Sequence, residues 1–393
     1  MQNSAHRAGR HFLHIPGPTP VPDRVLRAMD RPTIDHRGPD FADLGMRALD
    51  GMRTIFQCSG PVVIYPASGT GAWEAALANT LSPGDQILMV ETGHFGTLWR
   101  NMAVKMGLVP IFIETDWRHA ADPEQIAKRL RDDREHAIKA VCVVHNETST
   151  GCVSPVAAVR AVIDECRHPA LLIVDTISSL GSIDYRHDEW GVDVTVGASQ
   201  KGLMLPPGLS FNAVSERAVQ VSKSSTFPRS FWAWDEMLSN NKRGYFPYTP
   251  STNLLYGLVD AIEMLHSEGL TNVFARHDRH AEGTRRAVEA WGLEVLCLDA
   301  TAYSSSLTAV VVPTGHNADE LRRTALEKFD LSLGTGLGRL AGSVFRIGHL
   351  GDVNDLTIIA ALAGVEMSLG ITGIPHNRGG VDAAMSYFAD QAG

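Results

Sequence analysis

Short apolar runs, most of them rich in Val and Ile, recur between residues 62 and 214 of this chain. No other feature narrows the fold as much. The runs occupy 62–65, 87–90, 111–113, 140–144, 171–174, 192–196 and 209–214. A strand with one wet face alternates apolar and polar residues. A continuous Val/Ile run reads instead as a strand buried on both faces, as in a parallel sheet covered by helices. Helical patterns fall between the runs. Trp73, Ala76, Leu77 and Leu81 repeat at helical spacing, and so do Val156, Val159, Ile163 and Cys166, with Ser154 as a cap and Pro155 at the first turn. Strand–helix alternation with short links predicts a doubly wound α/β domain.

A length of 393 residues allows two to three domains, or one large domain with a smaller one. After about residue 260 the texture changes. A long helical stretch over 272–291 precedes strand candidates at 293–298 and 307–312. Asn317 and Glu320 then offer a capping-box-like start for a helix carrying Leu321, Ala325 and Phe329. This part reads as a smaller α+β domain. The segment before Asp40 holds six prolines and reads as an arm outside the sheet core, because proline removes ladder donors. The expected division is an arm over 1–40, a large domain over 41–270 and a small domain over 271–393.

Charge and composition exclude several classes of function. The net charge of −9 leaves no basic excess for a nucleic-acid backbone. No run approaches 18 consecutive apolar residues, so no spanning helix and no membrane partner are expected. The N-terminus lacks the apolar core of a secretory leader, and the C-terminus is not a peroxisomal tripeptide of the Ser-Lys-Leu kind. Cys58, Cys142, Cys152, Cys166 and Cys297 form no CxxC pair, and their odd number suggests a reducing, cytoplasmic setting. No HExxH or comparable histidine spacing appears, so no metal is expected.

Four local constellations carry chemistry. Ser68-Gly69-Thr70-Gly71 follows the run at 62–65 and opens a helix. Small residues let a ligand approach the backbone, and the free N–H groups with the hydroxyls of Ser68 and Thr70 suit a phosphate. The same segment reads equally as a capped turn. It fails the dinucleotide fingerprint, because Glu74 stands at the third glycine position, and no Gly-Lys-Ser/Thr of a P-loop follows. Asp175 ends the run at 171–174, where ligands of doubly wound sheets sit, and its carboxylate suits a protonated ring nitrogen or, failing that, a local turn. Asp193 is the weaker candidate, lying inside its run. Lys201, in Ser199-Gln200-Lys201-Gly202 before Pro206-Pro207-Gly208, is either a solvated surface charge or a desolvated amine able to attack a carbonyl. Arg346 alternates with Phe345 and Ile347, which places its guanidinium on the opposite face of a strand from both, free to hold a carboxylate or a structural ion pair. Together these groups match pyridoxal 5′-phosphate and an amino-acid substrate: phosphate, ring nitrogen, aldehyde, carboxylate.

At this point the sequence resembles the class V aminotransferases of pyridoxal-phosphate fold type I, and within them the serine–glyoxylate and alanine–glyoxylate group. The resemblance runs from Pro16-Gly17-Pro18-Thr19 to about Gly351. It rests on Ser68-Gly69-Thr70-Gly71, His145-Asn146-Glu147-Thr148-Ser149-Thr150-Gly151, Ser199-Gln200-Lys201, Pro206-Pro207-Gly208 and Phe345-Arg346-Ile347-Gly348. It implies a mostly parallel, doubly wound large domain with a smaller C-terminal α+β domain. It implies a transaminase that moves the amino group of L-serine, L-aspartate or L-alanine to glyoxylate, giving glycine and a 2-oxo acid. By match, Lys201 is the lysine bonded to the cofactor aldehyde, with Gln200 beside it. Ser68, Gly69 and Thr70 form the phosphate cup, and Asp175 is the ring-nitrogen partner. Thr148 lies near the ring hydroxyl, Phe95 stacks on the ring, and Arg346 holds the substrate α-carboxylate. The run from Tyr245 to Pro250 is similar to a segment that reaches the neighbouring subunit's phosphate, with Thr249 favoured over Tyr248, which implies a homodimer with shared active sites. Arg37 is a candidate for the second carboxylate of aspartate. Competing expectations are a desulfurase- or lyase-type enzyme of the same fold, disfavoured for the desulfurase by the strand-like setting of Cys297, and a cofactor-free binding protein.

Overall fold

Seven strands form the sheet that positions the site. In spatial order they are Val62–Tyr65, Ser210–Val214, Val194–Ala198, Leu171–Asp175, Ile138–Val144, Gln86–Glu91 and Val109–Glu114. The structure, a computed structural model, describes residues 8–391; the terminal readings made above fall partly on residues 1–7 and 392–393, outside the described residues. The last five strands in that order run parallel, while Ser210–Val214 is antiparallel to both its neighbours. A short loop explains the exception. Parallel neighbours need a crossover of a dozen or more residues, and the segment between Ala198 and Ser210 is a loop without a helix to make one.

The apolar runs are buried on both faces except at the edge strand Val109–Glu114, where Ile111 and Phe112 are only half-buried. Ile87, Met89, Ala140, Cys142, Leu171 and Ile173 pack with Trp73, Leu77 and Trp99 from the helices Gly69–Thr80 and His94–Lys105. Their alternates Leu88, Val90, Val141, Val143, Leu172 and Val174 pack with Ile126, Leu130, Val159 and Ile163 from the helices Pro123–Asp132 and Val156–Glu165. This period-two sorting is what a two-sided sheet requires. Ser154 does not cap the second of these helices. Pro155 holds the cap position, and the Ser154 hydroxyl accepts the Ala121 N–H at 3.3 Å instead. Asp193 precedes its strand, and its carboxylate takes the Leu172 N–H at 2.9 Å and pairs with Arg217 at 3.2 Å. It is a structural group.

A second sheet has five strands in the order Phe12–His14, Leu331–Thr335, Val344–Gly348, Leu307–Val311 and Glu294–Val295. The segment expected to be an arm therefore supplies an edge strand, running parallel to Leu331–Thr335. Its prolines begin only at Pro16, just past the paired residues. The strand expected over 293–298 shortens to Glu294–Val295. Cys297 lies beyond it, its thiol donating to the Asp299 carbonyl at 3.5 Å. Asn317 caps the helix Ala318–Phe329 by accepting the Asp319 N–H, but Glu320 faces Arg323 rather than closing a capping box.

The helix Asp355–Thr372 has 18 residues and a mean hydropathy of 1.5, enough by length and composition to cross a membrane. Its apolar residues are interrupted by Thr357, Glu366 and Ser368, so it is not an unbroken apolar run. Ile358, Leu362, Val365 and Leu369 from this helix are buried with Phe345, Ile347 and Leu321 in the core of the second sheet.

Candidate active site

The C-terminal ends of the parallel strands converge on a cavity of about 250 Å³. Ser68, Gly69, Thr70, Phe95, Thr148, Asp175, Gln200 and Lys201 all line it. Eight of the residues singled out from the sequence are thus brought to one place, from segments spread over more than a hundred positions.

Ser68 is the N-cap of the helix Gly69–Thr80, yet its hydroxyl makes no capping bond. The hydroxyl and the N–H groups of Gly69 and Thr70 remain available to an anion, favoured by the helix dipole, while the Gly71 N–H is taken by the Ser68 carbonyl at 2.9 Å. Gly69 has no room for a side chain, since an added β-carbon would lie 2.2 Å from Ile177 Cδ1. Gln200 Oε1 is buried without a hydrogen-bond partner. A buried, unpartnered carboxamide oxygen is a polar atom awaiting a donor.

Asp175 ends its strand and is 4% exposed. Its Oδ1 accepts the Ile177 N–H at 2.6 Å and its Oδ2 accepts the Trp73 indole N–H at 2.9 Å. Burial pushes the carboxyl up to about 7, against the downward pull of those two hydrogen bonds. Lys201 is lowered to about 7, first by burial and then by the positive charge of Arg346, while Asp175 and Glu147 pull it back up. It is the desolvated amine of the two readings, not a surface charge. Its Nζ donates to the Pro16 carbonyl.

Thr148 donates its hydroxyl to Ser178 Oγ at 2.7 Å, which leaves its own lone pairs for an incoming donor. Its carbonyl accepts Arg346 Nη1 at 2.6 Å, and Arg346 Nε donates to the Thr335 carbonyl at 2.8 Å. Arg346 is 6% exposed, and among the described residues no acidic side chain forms an ion pair with it. Burial lowers it to about 10, opposed by the charge of Glu147. A buried guanidinium held by two carbonyls and lacking a carboxylate is prepared for one from outside. Phe345 and Ile347, on the opposite face of its strand, are fully buried in the core beneath.

Thr249 does not enter this cavity. It lines a separate depression of about 450 Å³ with His36, Arg37, Arg243 and Tyr248. The Tyr248 hydroxyl is already committed to the Ile64 carbonyl. None of the five cysteines, all free thiols, lines the Lys201 cavity.

Three site features escape the sequence reading. Trp73 registers there only as a helix-face hydrophobe, although its place one turn after Thr70 is the signal that it shares the helix Gly69–Thr80. Gly17 and Pro18 also line the cavity, delivered by the N-terminal segment. Glu147 is fully buried and accepts from the N–H groups of Phe95, Gly96 and Ser149 at 3.3, 3.1 and 3.0 Å and from the Ser149 hydroxyl at 2.6 Å. It anchors the start of the helix His94–Lys105, which carries Phe95.

Comparisons agree with this geometry. The sequence pattern of the family described as Aminotransferase class-V matches residues 11–337. The chain is 45% identical over 394 residues to the serine–glyoxylate aminotransferase of Methylorubrum extorquens, covering 98% of each. It is 43% identical over 378 residues to the L-aspartate–glyoxylate aminotransferase of Paracoccus denitrificans, covering 96% of each. The crystal structure of pyridoxamine–pyruvate aminotransferase from Mesorhizobium loti superposes with a TM-score of 0.92 at 28% identity, over 98% of this chain and 99% of that one.

Proposed function

Because the chain belongs to the class-V aminotransferases, we propose that it binds pyridoxal 5′-phosphate in the Lys201 cavity and moves the amino group of a small L-amino acid onto glyoxylate. The products are a 2-oxo acid and glycine. The observation that carries this reading is the meeting of a desolvated lysine, a buried carboxylate and an open helix N-terminus in one cavity.

The residues present fit the cofactor. Ser68, Gly69 and Thr70 offer donors and space for its phosphate, and the unpartnered Gln200 Oε1 shows a polar wall lacking its complement. Asp175 would face the ring nitrogen, Phe95 the ring and Thr148 the ring hydroxyl. When bound, the cofactor supplies an electron sink for the pair left on the substrate α-carbon. The chain's own residues do the rest. Lys201, kept near neutrality by burial, takes the proton from the α-carbon and returns it, acting as base and then acid. Arg346 holds the α-carboxylate and so fixes which C–H bond faces the amine. The segment at Pro16 and Gly17 closes over Lys201 and keeps water from it.

The residues lining the cavity include no arginine, and the neighbouring Arg346 gives the site one guanidinium within one chain. That suits a donor with one carboxylate, and L-serine is the donor we assign first. Thr249, remote from its own Lys201, serves a neighbouring subunit in this reading, as in a homodimer with shared active sites. Arg37 lies beside Thr249 and would come with it, so an aspartate preference would report a second cation from the partner. The unpaired cysteines fit a cytoplasmic enzyme.

The test is spectral and kinetic. Protein supplied with pyridoxal 5′-phosphate should absorb near ~410–430 nm, the region of a lysine-bound pyridoxal, and Lys201→Ala should lose both this band and turnover. With glyoxylate as acceptor, kcat/KM should be highest for serine among serine, alanine and aspartate. A wild-type protein with no band, or a Lys201→Ala variant with full steady-state activity, rejects the reading.

A further inference from the structure

We propose that Trp73 is a positioning residue for the reaction, its indole N–H holding the Asp175 carboxylate ionised and aimed into the cavity. The inference rests on the cofactor reading above and adds to it a residue that acts only through Asp175.

The geometry is specific. Trp73 Nε1 lies 2.9 Å from Asp175 Oδ2, and the two side chains are 3% and 4% exposed. The other oxygen is already taken by the Ile177 N–H at 2.6 Å. Each carboxylate oxygen therefore has one fixed donor, and the lone pairs that remain are the ones available to a ring N–H. The indole is itself held in place. It stacks on Trp99 with centroids 5.6 Å apart and planes 11° from parallel, and Trp99 is fully buried. Trp73 also sits on the helix Gly69–Thr80, whose first turn is the proposed phosphate cup, so one rigid element would position both the phosphate donors and the Asp175 carboxylate.

The charges facing Asp175 show why the donor matters. Burial favours its protonated form, and the buried carboxylate of Glu147 adds to that, while Lys201, Ile177 and Trp73 favour the ionised form. A protonated Asp175 could not hold a ring N–H by charge. Trp73→Phe deletes the N–H, keeps an aromatic ring in the stack, and leaves Oδ2 without a donor in a dry site.

The experiment measures the dissociation constant of pyridoxal 5′-phosphate from the apo-protein as a function of pH, with circular dichroism as the check on folding. In the wild type, binding weakens on acidification as Asp175 takes up its proton. In Trp73→Phe the midpoint of that loss should move upward by about one pH unit, and affinity at neutral pH should fall roughly ten-fold. In an Asp175→Asn background, adding Trp73→Phe should change affinity little. An unmoved midpoint in Trp73→Phe overturns the assignment, as does an equal loss in the Asp175→Asn background. Should Trp73→Phe not fold, the pair Trp73→Gln and Trp73→Leu decides, the first retaining a non-titrating N–H donor: a midpoint displaced only in Trp73→Leu supports the assignment and an equal displacement in both rejects it. A wild type that binds no cofactor at all overturns the function proposed above and this assignment with it. Binding with an unmoved midpoint overturns this assignment alone.

Discussion

Gly17 has no side chain where one would strike Lys201: an added β-carbon would lie 2.3 Å from Lys201 Cδ and 2.8 Å from Nζ. The backbone there has φ +99°, outside the range L side chains adopt readily. Gly17→Ala should therefore displace either the lysine or the N-terminal segment over it. The expected result is a fall in kcat of about two orders of magnitude, with secondary structure retained by circular dichroism. An unchanged kcat would show that the segment does not constrain the lysine.

In the proposed reaction Arg346 should affect donor and acceptor alike, because both carry a carboxylate and both would enter the Lys201 cavity. Arg346→Lys keeps a charge but loses the forked geometry and one of its two carbonyl contacts. We expect kcat/KM to drop by roughly 10–100-fold, the range for a lost charged hydrogen bond. Single-turnover measurements of the two half-reactions should show similar factors. A drop confined to one half-reaction would place the two carboxylates at different residues.

The apo-protein should show two opposed pH windows of stability. Asp175 titrates at 3.8 in the unfolded chain and at about 7 when folded, so the folded state binds more protons between those values and loses stability as pH rises through them. Lys201 titrates at 10.5 unfolded and at about 7 folded, so the unfolded state binds more protons above 7 and stability recovers as pH rises toward 10.5. Asp175→Asn should thus raise the Tm of the apo-protein more at pH 8 than at pH 4, and Lys201→Met more at pH 7 than at pH 10, by at least a few degrees in each case, roughly. Calorimetry of both variants across pH checks the two signs separately.

Glu147 accepts hydrogen bonds through both carboxylate oxygens, so a carboxamide cannot replace it. Glu147→Gln turns an N–H group either toward the Gly96 N–H or toward the N–H groups of Phe95 and Ser149. A stability loss of about 1–3 kcal/mol in urea unfolding is expected, together with weaker cofactor binding as Phe95 loses its anchor. Wild-type stability would mean that water satisfies these donors.

Much of this protein was written locally. The runs at 87–90, 140–144 and 171–174 specify buried strands because each must meet apolar groups on both faces. Ser68-Gly69-Thr70 specifies an anion-ready helix start because its N–H groups have no partner within the helix. Lys201 and Arg346 announced a possible chemistry through their neighbours in sequence. What the chain pattern left open was everything that depends on partners distant in sequence. Whether Lys201 was a surface charge or a desolvated amine was decided by Pro16 and Gly17, some 185 positions away. That Asp175 would be gripped by Trp73 was decided by a contact across 102 positions. The N-terminal segment became a strand because Leu331–Thr335 offered it an edge, which no local propensity encodes. Side-chain pattern selects an element and its buried face. The free energy of a buried charge is set by whatever atoms the fold brings within a few ångströms, and only the tertiary structure chooses those.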